Sequence, residues 1–328
     1  MTVLDTMVVG GAILLATWVG AQGYRAAWRS WMGRDGTPTG FGCLLPLAVV
    51  VGLWSTEQAV GMGAALALII LATFLYWLDD LLGLSAKTRI VLASLAGVVL
   101  GLISIAEGWA SPWHLAAIAL SAGALCVVSA NIINFYDGAD LNLALVIANF
   151  GVLLAVFSSA WDGPVPIVGV ALVAFAVGFG MVNRRPHSLY LGDGGSFAFA
   201  AVVTWLFVLF VGGREIPVEA VVALALPAFD VFFVLLIRLW FKHDLLSRNY
   251  LHLYQRLHII YGGRRYLYPQ PINIILVLGC AGLIGSSTGV SRVVAVLLAS
   301  VIVTPILYLI VRRYAVESEY FFGDGTTQ

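Results

Sequence analysis

Apolar runs long enough to cross a lipid bilayer recur along this chain, and nothing else constrains its fold as tightly. A hydrocarbon core of ~30 Å asks for about 20 predominantly apolar residues in a spanning helix. Inside lipid each backbone amide must be satisfied within the protein, so only helices and closed barrels span. The runs here are continuous rather than alternating, which selects helices. Eleven are read, at 3–22, 43–56, 59–78, 90–106, 113–130, 141–158, 164–182, 197–212, 217–240, 272–288 and 293–311. The second is short and contains Pro46. Composition agrees, with 61% hydrophobic and 10% charged residues, against about 25% charged in a soluble domain. The expected fold is an all-α, polytopic transmembrane helical bundle of about 11 helices, a single integral membrane domain over residues 1–328.

The basic residues set an orientation. With the N-terminus outside, only Arg214 and Arg292 of the 17 Lys and Arg fall on the outer side, the asymmetry of the positive-inside rule. The odd number of spans then leaves the C-terminus in the cytoplasm. The opening MTVLDTMVVGGAILL lacks a basic n-region, so it reads as a retained first helix. The longest polar connections, 23–42 and 241–271, both fall on the cytoplasmic side. Cys43, Cys126 and Cys280 stand singly in apolar runs without metal-like spacing. With a formal net charge of zero nothing points to nucleic acid as a partner. No internal repeat of the kind that builds inverted-repeat transporters is evident.

Within that topology the carboxylates collect on one side. Asp79 and Asp80 end the third span in YWLDDLLG; Asp137 and Asp140 follow the fifth in NIINFYDGAD; Asp193 precedes the eighth in LYLGDGGSF. Acidic side chains close to hydrocarbon are costly and normally face a polar cavity or a partner. Five converging there call for a counter-ion, and hard oxygen donors favour magnesium or manganese. Simpler roles stand beside this one. Asp140 is placed to N-cap the sixth span. Asn131 and Asn134 are amides of the kind that glue helices together. Asp79 and Asp80 are 100° apart on a helix and cannot face the same way.

The other polar features fit a nucleotide. The glycines of LGDGGS allow close backbone approach and amides turned toward an anion. Asn183-Arg184-Arg185-Pro186 supplies amide and guanidinium donors for a base and phosphates. Tyr190 is suited to stacking on a base or to anchoring at the membrane interface. The last cytoplasmic loop brings His252, Arg256, His258, Arg264 and Arg265. Together these imply phosphate chemistry at a membrane surface, with a polar nucleotide entering from the cytoplasm and a lipid phosphate arriving laterally.

In these motifs and their order the chain resembles the polyprenyl-phosphate N-acetylhexosamine-1-phosphate transferases. That family includes the undecaprenyl-phosphate GlcNAc-1-phosphate transferases and the phospho-MurNAc-pentapeptide transferase. TPTGFG (37–42) is similar to its Pro-Thr-x-Gly-Gly element, and YWLDDLLGLSAKTR (76–89) to its Asp-Asp motif with a downstream lysine. NIINFYDGAD (131–140) is similar to Asn-x-x-Asn-x-x-Asp-Gly-x-Asp, and NRRPHSLYLGDGGS (183–196) to Asn-x-x-Pro leading to Gly-Asp-x-Gly-Ser. The resemblance implies Asp193 as principal magnesium ligand, with Asn134 close to the metal. It implies Asp79 and Asp80 at the lipid phosphate and pyrophosphate, Asp137 in the same catalytic group, and Lys87 near the nucleotide phosphates. Asn183 and Tyr190 would hold the uracil, with Arg185, Asn131, His252 and Arg256 on the substrate side.

Three departures stand out, the first being that the first cytoplasmic loop lacks the family's Arg-Lys-x-His run. After Asp140 the family continues with Gly-Leu, whereas this chain has Leu141-Asn142. The late loop reads HLYQRLH rather than a compact histidine cluster, closer to enzymes that start O-antigen-like glycans. The resulting expectation is an enzyme of the bacterial cytoplasmic (inner) membrane with its site on the cytoplasmic face. It would transfer an N-acetylhexosamine-1-phosphate from a UDP-sugar to undecaprenyl phosphate, with Mg2+ (or Mn2+) as cofactor, the lipid bilayer as environment and a homodimer compatible. The alternatives are the phospho-MurNAc-pentapeptide transferase of peptidoglycan synthesis and, in another class, an ion-coupled transporter.

Overall fold

Helix follows apolar run along almost the whole chain. The computed structural model describes residues 3–31, 37–55, 62–105, 111–158, 163–184, 188–243 and 251–315. Its helices are α1 (Val3–Trp31), α2 (Leu45–Trp54), α3 (Gly63–Leu82), α4 (Ala86–Ile105), α5 (Pro112–Tyr136), α6 (Asn142–Phe157), α7 (Pro164–Asn183), α8 (Gly192–Val211), α9 (Val222–Trp240), α10 (Leu253–Tyr261), α11 (Pro269–Thr288) and α12 (Arg292–Ala315). Nine of the described helices are long and apolar enough to cross a membrane, and Phe41–Trp54 and Asn142–Phe157 are shorter apolar helices. Each of the eleven expected spans thus contains a helix among the described residues, and the chain is a polytopic helical membrane bundle. Two boundaries moved. The first helix continues well past residue 22, and the expected connection 241–271 contains the additional helix α10. Exposed Trp54, Trp113 and Trp240 sit at helix ends, where amphipathic rings favour a membrane–water interface.

The helices group into two compact units, Met1–Pro217 and Val218–Gln328. In the first, α7 and α8 are the most enclosed. Close approach between its helices rests on small residues, since lipid offers no hydrophobic drive for helix association. Gly97 and Gly101 of α4 lie against α5, where an added Cβ on Gly101 would come 2.7 Å from the Ala119 Cα. Gly151 of α6 faces the Gly169 carbonyl of α7 at 2.6 Å from such a Cβ, and Gly178 of α7 faces the Leu14 carbonyl of α1 at the same distance. Helices α1, α3, α5 and α7 end where α4, α6 and α8 begin, so their polar ends share one end of this unit.

In the second unit α9 carries Pro227 in its interior. A proline has no N–H to give, which frees the carbonyl four residues earlier. That carbonyl, on Ala223, accepts the Gln270 Nε2 of α11 at 2.6 Å. A buried polar group is thereby satisfied across two helices rather than left bare in an apolar interior.

Candidate active site

The first unit gathers its carboxylates around the N-terminus of α8. A helix starts with backbone N–H groups that have no partner within the helix. Here those amides point at acids from other helices. Asp137, just past α5, accepts the Gly192 N–H through Oδ2 at 3.0 Å. Asp80, near the end of α3, accepts the Asp193 N–H through Oδ1 and the Gly194 N–H through Oδ2, both at 3.0 Å. Thr39 Oγ1 also donates to Asp80 Oδ1 at 3.5 Å. Negative charge is favoured at this end of a helix dipole, and charge-assisted bonds of this kind are the strong ones. Burial pushes the Asp137 carboxyl well above the ordinary carboxylate range; the Gly192 amide opposes this, and the nearby Asp193 and Asp80 charges add to it.

Asp193 itself turns its side chain to two other partners. Asn134 Nδ2 of α5 donates to Asp193 Oδ1, and Arg89 Nη1 of α4 donates to Asp193 Oδ2 at 2.5 Å. Arg89 Nε lies 3.4 Å from Asp79 Oδ2, so one guanidinium bridges acids of α3 and α8. Asp79 is buried, and its Oδ1 accepts the Leu84 N–H in the turn after α3. The adjacent Asp79 and Asp80 thus point to different partners, as their 100° separation requires.

Arg89 joins this acidic cluster, although the sequence alone counted it only toward orientation. The helical register distinguishes it from Lys87. Two positions on a helix are about 200° apart, so Arg89 faces the acids while Lys87 is exposed on the other side of α4. Tyr76 OH donates to the Arg89 carbonyl and fixes that stretch of backbone.

The glycines of the two loops turn out to serve the carboxylates. Residues 37–42 dock along 190–191, with the Tyr190 N–H donating to the Pro38 carbonyl at 2.8 Å and the Gly42 N–H to the Leu191 carbonyl at 2.9 Å. Gly192 has φ 81, and a Cβ there would lie 2.7 Å from Asp80 Oδ2 and from the Gly40 Cα. The anions toward which the LGDGGS amides turn are Asp80 and Asp137. Gly192→Ala should therefore destabilise the protein by more than the ~1–2 kcal/mol of left-handed strain alone, because the methyl also drives Asp80 off its amides. Thermal unfolding of the purified variant measures this, and an unchanged Tm would count against the arrangement.

Asn183, at the end of α7, clamps two loops. Its Oδ1 accepts the Leu141 N–H and its Nδ2 donates to the Leu189 carbonyl at 2.7 Å. Leu141 is the N-cap of α6, with φ 65. The N-cap is thus not Asp140, as the sequence had suggested. The left-handed position falls where the family pattern after Asp-Gly-x-Asp carries glycine. Tyr190 is half-buried beside this clamp; burial raises its hydroxyl pKa, and the Asp140 and Asp137 charges raise it further. Asn131 is exposed and donates back to the Val127 carbonyl at 2.8 Å, one turn earlier. Arg185 lies outside the described residues.

His252 and Arg256 belong to the second unit. His252 is buried, its Nδ1 3.2 Å from Asp230 Oδ2, and its backbone N–H reaches Gln255 Oε1 at 3.3 Å. Asp230 Oδ1 accepts the Leu253 N–H at 3.0 Å and the Tyr308 hydroxyl at 2.8 Å. Arg312 Nη1 donates to that hydroxyl at 3.0 Å and to the Leu251 carbonyl at 2.9 Å. Asp230, whose purpose the sequence left open, holds the start of α10. Tyr254 is interior, whereas Arg256 is partly exposed.

The donor chemistry of the first unit suits a hard divalent cation. Asp193 and Asp137 supply carboxylate oxygens, Asn134 an amide oxygen on reversal of its amide, and Asp79 Oδ2 is a buried oxygen without a hydrogen bond. Arg89 shows that positive charge is favoured between Asp79 and Asp193. Among the described residues no three His, Cys, Asp or Glu side chains form a ready-made metal cage.

Fold and cluster together define a class: a polytopic helical membrane protein with an acidic, hydrogen-bonded site at its helix ends. Residues 62–211 match the family model described as glycosyl transferase family 4. It is similar to the phospho-N-acetylmuramoyl-pentapeptide-transferase of Geobacillus kaustophilus, 26% identical over 200 residues that cover 54% of this chain and 62% of that protein. The protein of the same name from Streptococcus pneumoniae serotype 19F is 25% identical over 193 residues, 52% of this chain and 58% of the relative. The chain thus spans about six-tenths of the length of the curated relatives it matches.

Proposed function

We propose that this protein transfers an N-acetylhexosamine-1-phosphate from a UDP-sugar to undecaprenyl phosphate, at the cytoplasmic face of a bacterial inner membrane. The observation that carries this reading is the convergence of Asp80, Asp137 and Asp193, from three separated segments, at one helix N-terminus, with Asp79 joined to them through Arg89. An oxygen of undecaprenyl phosphate bonds to the sugar-linked β-phosphorus. The bond from that phosphorus to the α-phosphate oxygen breaks, and UMP leaves with the electron pair. Magnesium or manganese, held by Asp193 with Asn134 beside it, would supply Lewis-acid stabilisation of phosphate charge when bound.

The protein's own groups do the rest. Asp80 and Asp137 fix the first amides of α8 and so aim Asp193. Asp79 sits with Arg89 on the side proposed for the lipid phosphate. Lys87, exposed on α4, is placed to meet the nucleotide phosphates as a flexible point charge. Asn183 holds the 188–191 loop, which presents Tyr190 to stack on the uracil, and Asn131 and Arg185 are assigned to the substrate side. His252 orients the start of α10 and thereby Arg256, a guanidinium suited to a phosphate.

The donor sugar has two readings. The names of the relatives favour UDP-MurNAc-pentapeptide. The late loop favours a peptide-free UDP-N-acetylhexosamine, because its His252 is buried against Asp230 instead of standing in a histidine cluster. The test is UMP release by purified protein with undecaprenyl phosphate and magnesium, comparing UDP-GlcNAc with UDP-MurNAc-pentapeptide. We expect the peptide-free donor to be preferred at least tenfold in kcat/KM, roughly 1.4 kcal/mol of barrier. Preference for the pentapeptide would replace the sugar and keep the reaction. No UMP from any UDP-sugar would remove the reaction itself.

A further inference from the structure

We propose that Arg89 is a built-in counter-ion occupying the cation seat between Asp79 and Asp193, and that a divalent cation arriving on Asp193 displaces its guanidinium. This rests on the reading of Asp193 as a metal-binding residue. The bridge is unequal at its two ends. Nη1 is 2.5 Å from Asp193 Oδ2, while Nε is 3.4 Å from Asp79 Oδ2. The Asp193 and Arg89 side chains are 29% and 37% exposed, against 3% for Asp79. A hydrated ion can therefore reach the Asp193 end but not the Asp79 end.

The surroundings permit exchange at one end only. Asp79 Oδ2 is buried and accepts no hydrogen bond, so the nearby guanidinium is what compensates it. An unpaired charge there would be strongly destabilising. Arg89 should thus keep its Nε toward Asp79 and release Nη1 from Asp193. The hydrogen bond from Tyr76 to the Arg89 carbonyl holds the backbone, leaving the side chain as the moving part. On the other Asp193 oxygen, Asn134 donates its Nδ2. An amide carries an acceptor on its other branch, so reversal would turn a donor to Asp193 into a ligand oxygen. Of the two neighbours of Asp193, Arg89 can give way to an ion and Asn134 can turn an oxygen toward it.

If the two cations compete for one seat, removing Arg89 makes the seat more negative and vacant, and metal binds more tightly. A merely structural arginine gives the opposite result, because its loss disorders the acids. The probe is Mn2+, titrated into the purified full chain without substrates and followed by the paramagnetic resonance of the free ion. Arg89→Gln should tighten Mn2+ binding about tenfold, and saturating Mn2+ should raise the Tm of this variant more than that of wild type. Arg89→Lys retains a charge but not the fork that spans two acids, and should fall between; it also serves if the glutamine variant does not fold. Asp193→Asn should abolish binding. Unchanged or weaker Mn2+ binding in Arg89→Gln and Arg89→Lys, with Asp193→Asn still abolishing it, would overturn the displacement alone. Undiminished binding in Asp193→Asn would overturn the metal reading and the displacement with it.

Discussion

Asp193→Asn is expected to lower UMP release by at least about 10²–10³-fold, the scale seen when one preorganised electrostatic group is removed from a charge-developing site, while the protein stays folded. The two halves of this expectation have separate causes. The residue's structural contribution runs through its backbone N–H, which Asp80 accepts at 3.0 Å, and asparagine keeps that N–H. The side chain contributes a charge facing Arg89 and Asn134, and only the charge is lost. Asparagine still offers one oxygen to one of those donors. The Asp193 side chain is also partly exposed, so the stability change should be small, within about 1 kcal/mol. Initial rates at saturating magnesium together with thermal unfolding separate the two. A wild-type rate in the folded variant would remove Asp193 from its assigned place; a collapsed Tm would make its role structural.

The comparison of sequence with structure has a consistent physical pattern. The spans were legible because burial in lipid leaves a direct mark on composition, and even the short runs at 43–56 and 141–158 proved to be helices. The acids were legible as a group because topology alone puts their segments at one end. What each acid holds was not. The amides that Asp80 accepts lie 113 and 114 positions away, and a backbone N–H has no residue identity for a sequence to display. Arg89 was hidden by a second meaning, since a basic residue at a helix end expected to face the cytoplasm already explains itself through orientation. Its register relative to Lys87, two positions away, was the signal that could have found it. Leu141 was visible as a departure from Asp-Gly-x-Asp-Gly but carries no chemistry. Only its φ of 65 shows that this position is a left-handed turn.

Asp230→Ala should cost the second unit about 3–5 kcal/mol, the range for breaking a buried ionic network by removing one partner. Asp230 is fully enclosed, and alanine would strip acceptors from three donors at once. The Leu253 N–H loses its partner at the start of α10, a position where helices depend on outside acceptors. The Tyr308 hydroxyl and His252 Nδ1 lose theirs as well. Arg312, buried and donating to Tyr308, then meets a hydroxyl that no carboxylate holds in place. Asp230→Asn separates geometry from charge. Its oxygen can still accept both Leu253 and Tyr308, and its amide can donate to His252 in the alternative tautomer, so the asparagine variant should lose clearly less. Arg312→Met and Asp230→Ala should be non-additive, because both residues meet at the Tyr308 hydroxyl, and a double-mutant cycle reads that coupling directly. Unfolding of each variant in detergent gives the energies, and hydrogen exchange at Leu253–Leu257 shows whether α10 loosens first. If Asp230→Ala unfolds like wild type with α10 still protected, the carboxylate does not hold this helix, and the orientation of Arg256 must be sought elsewhere.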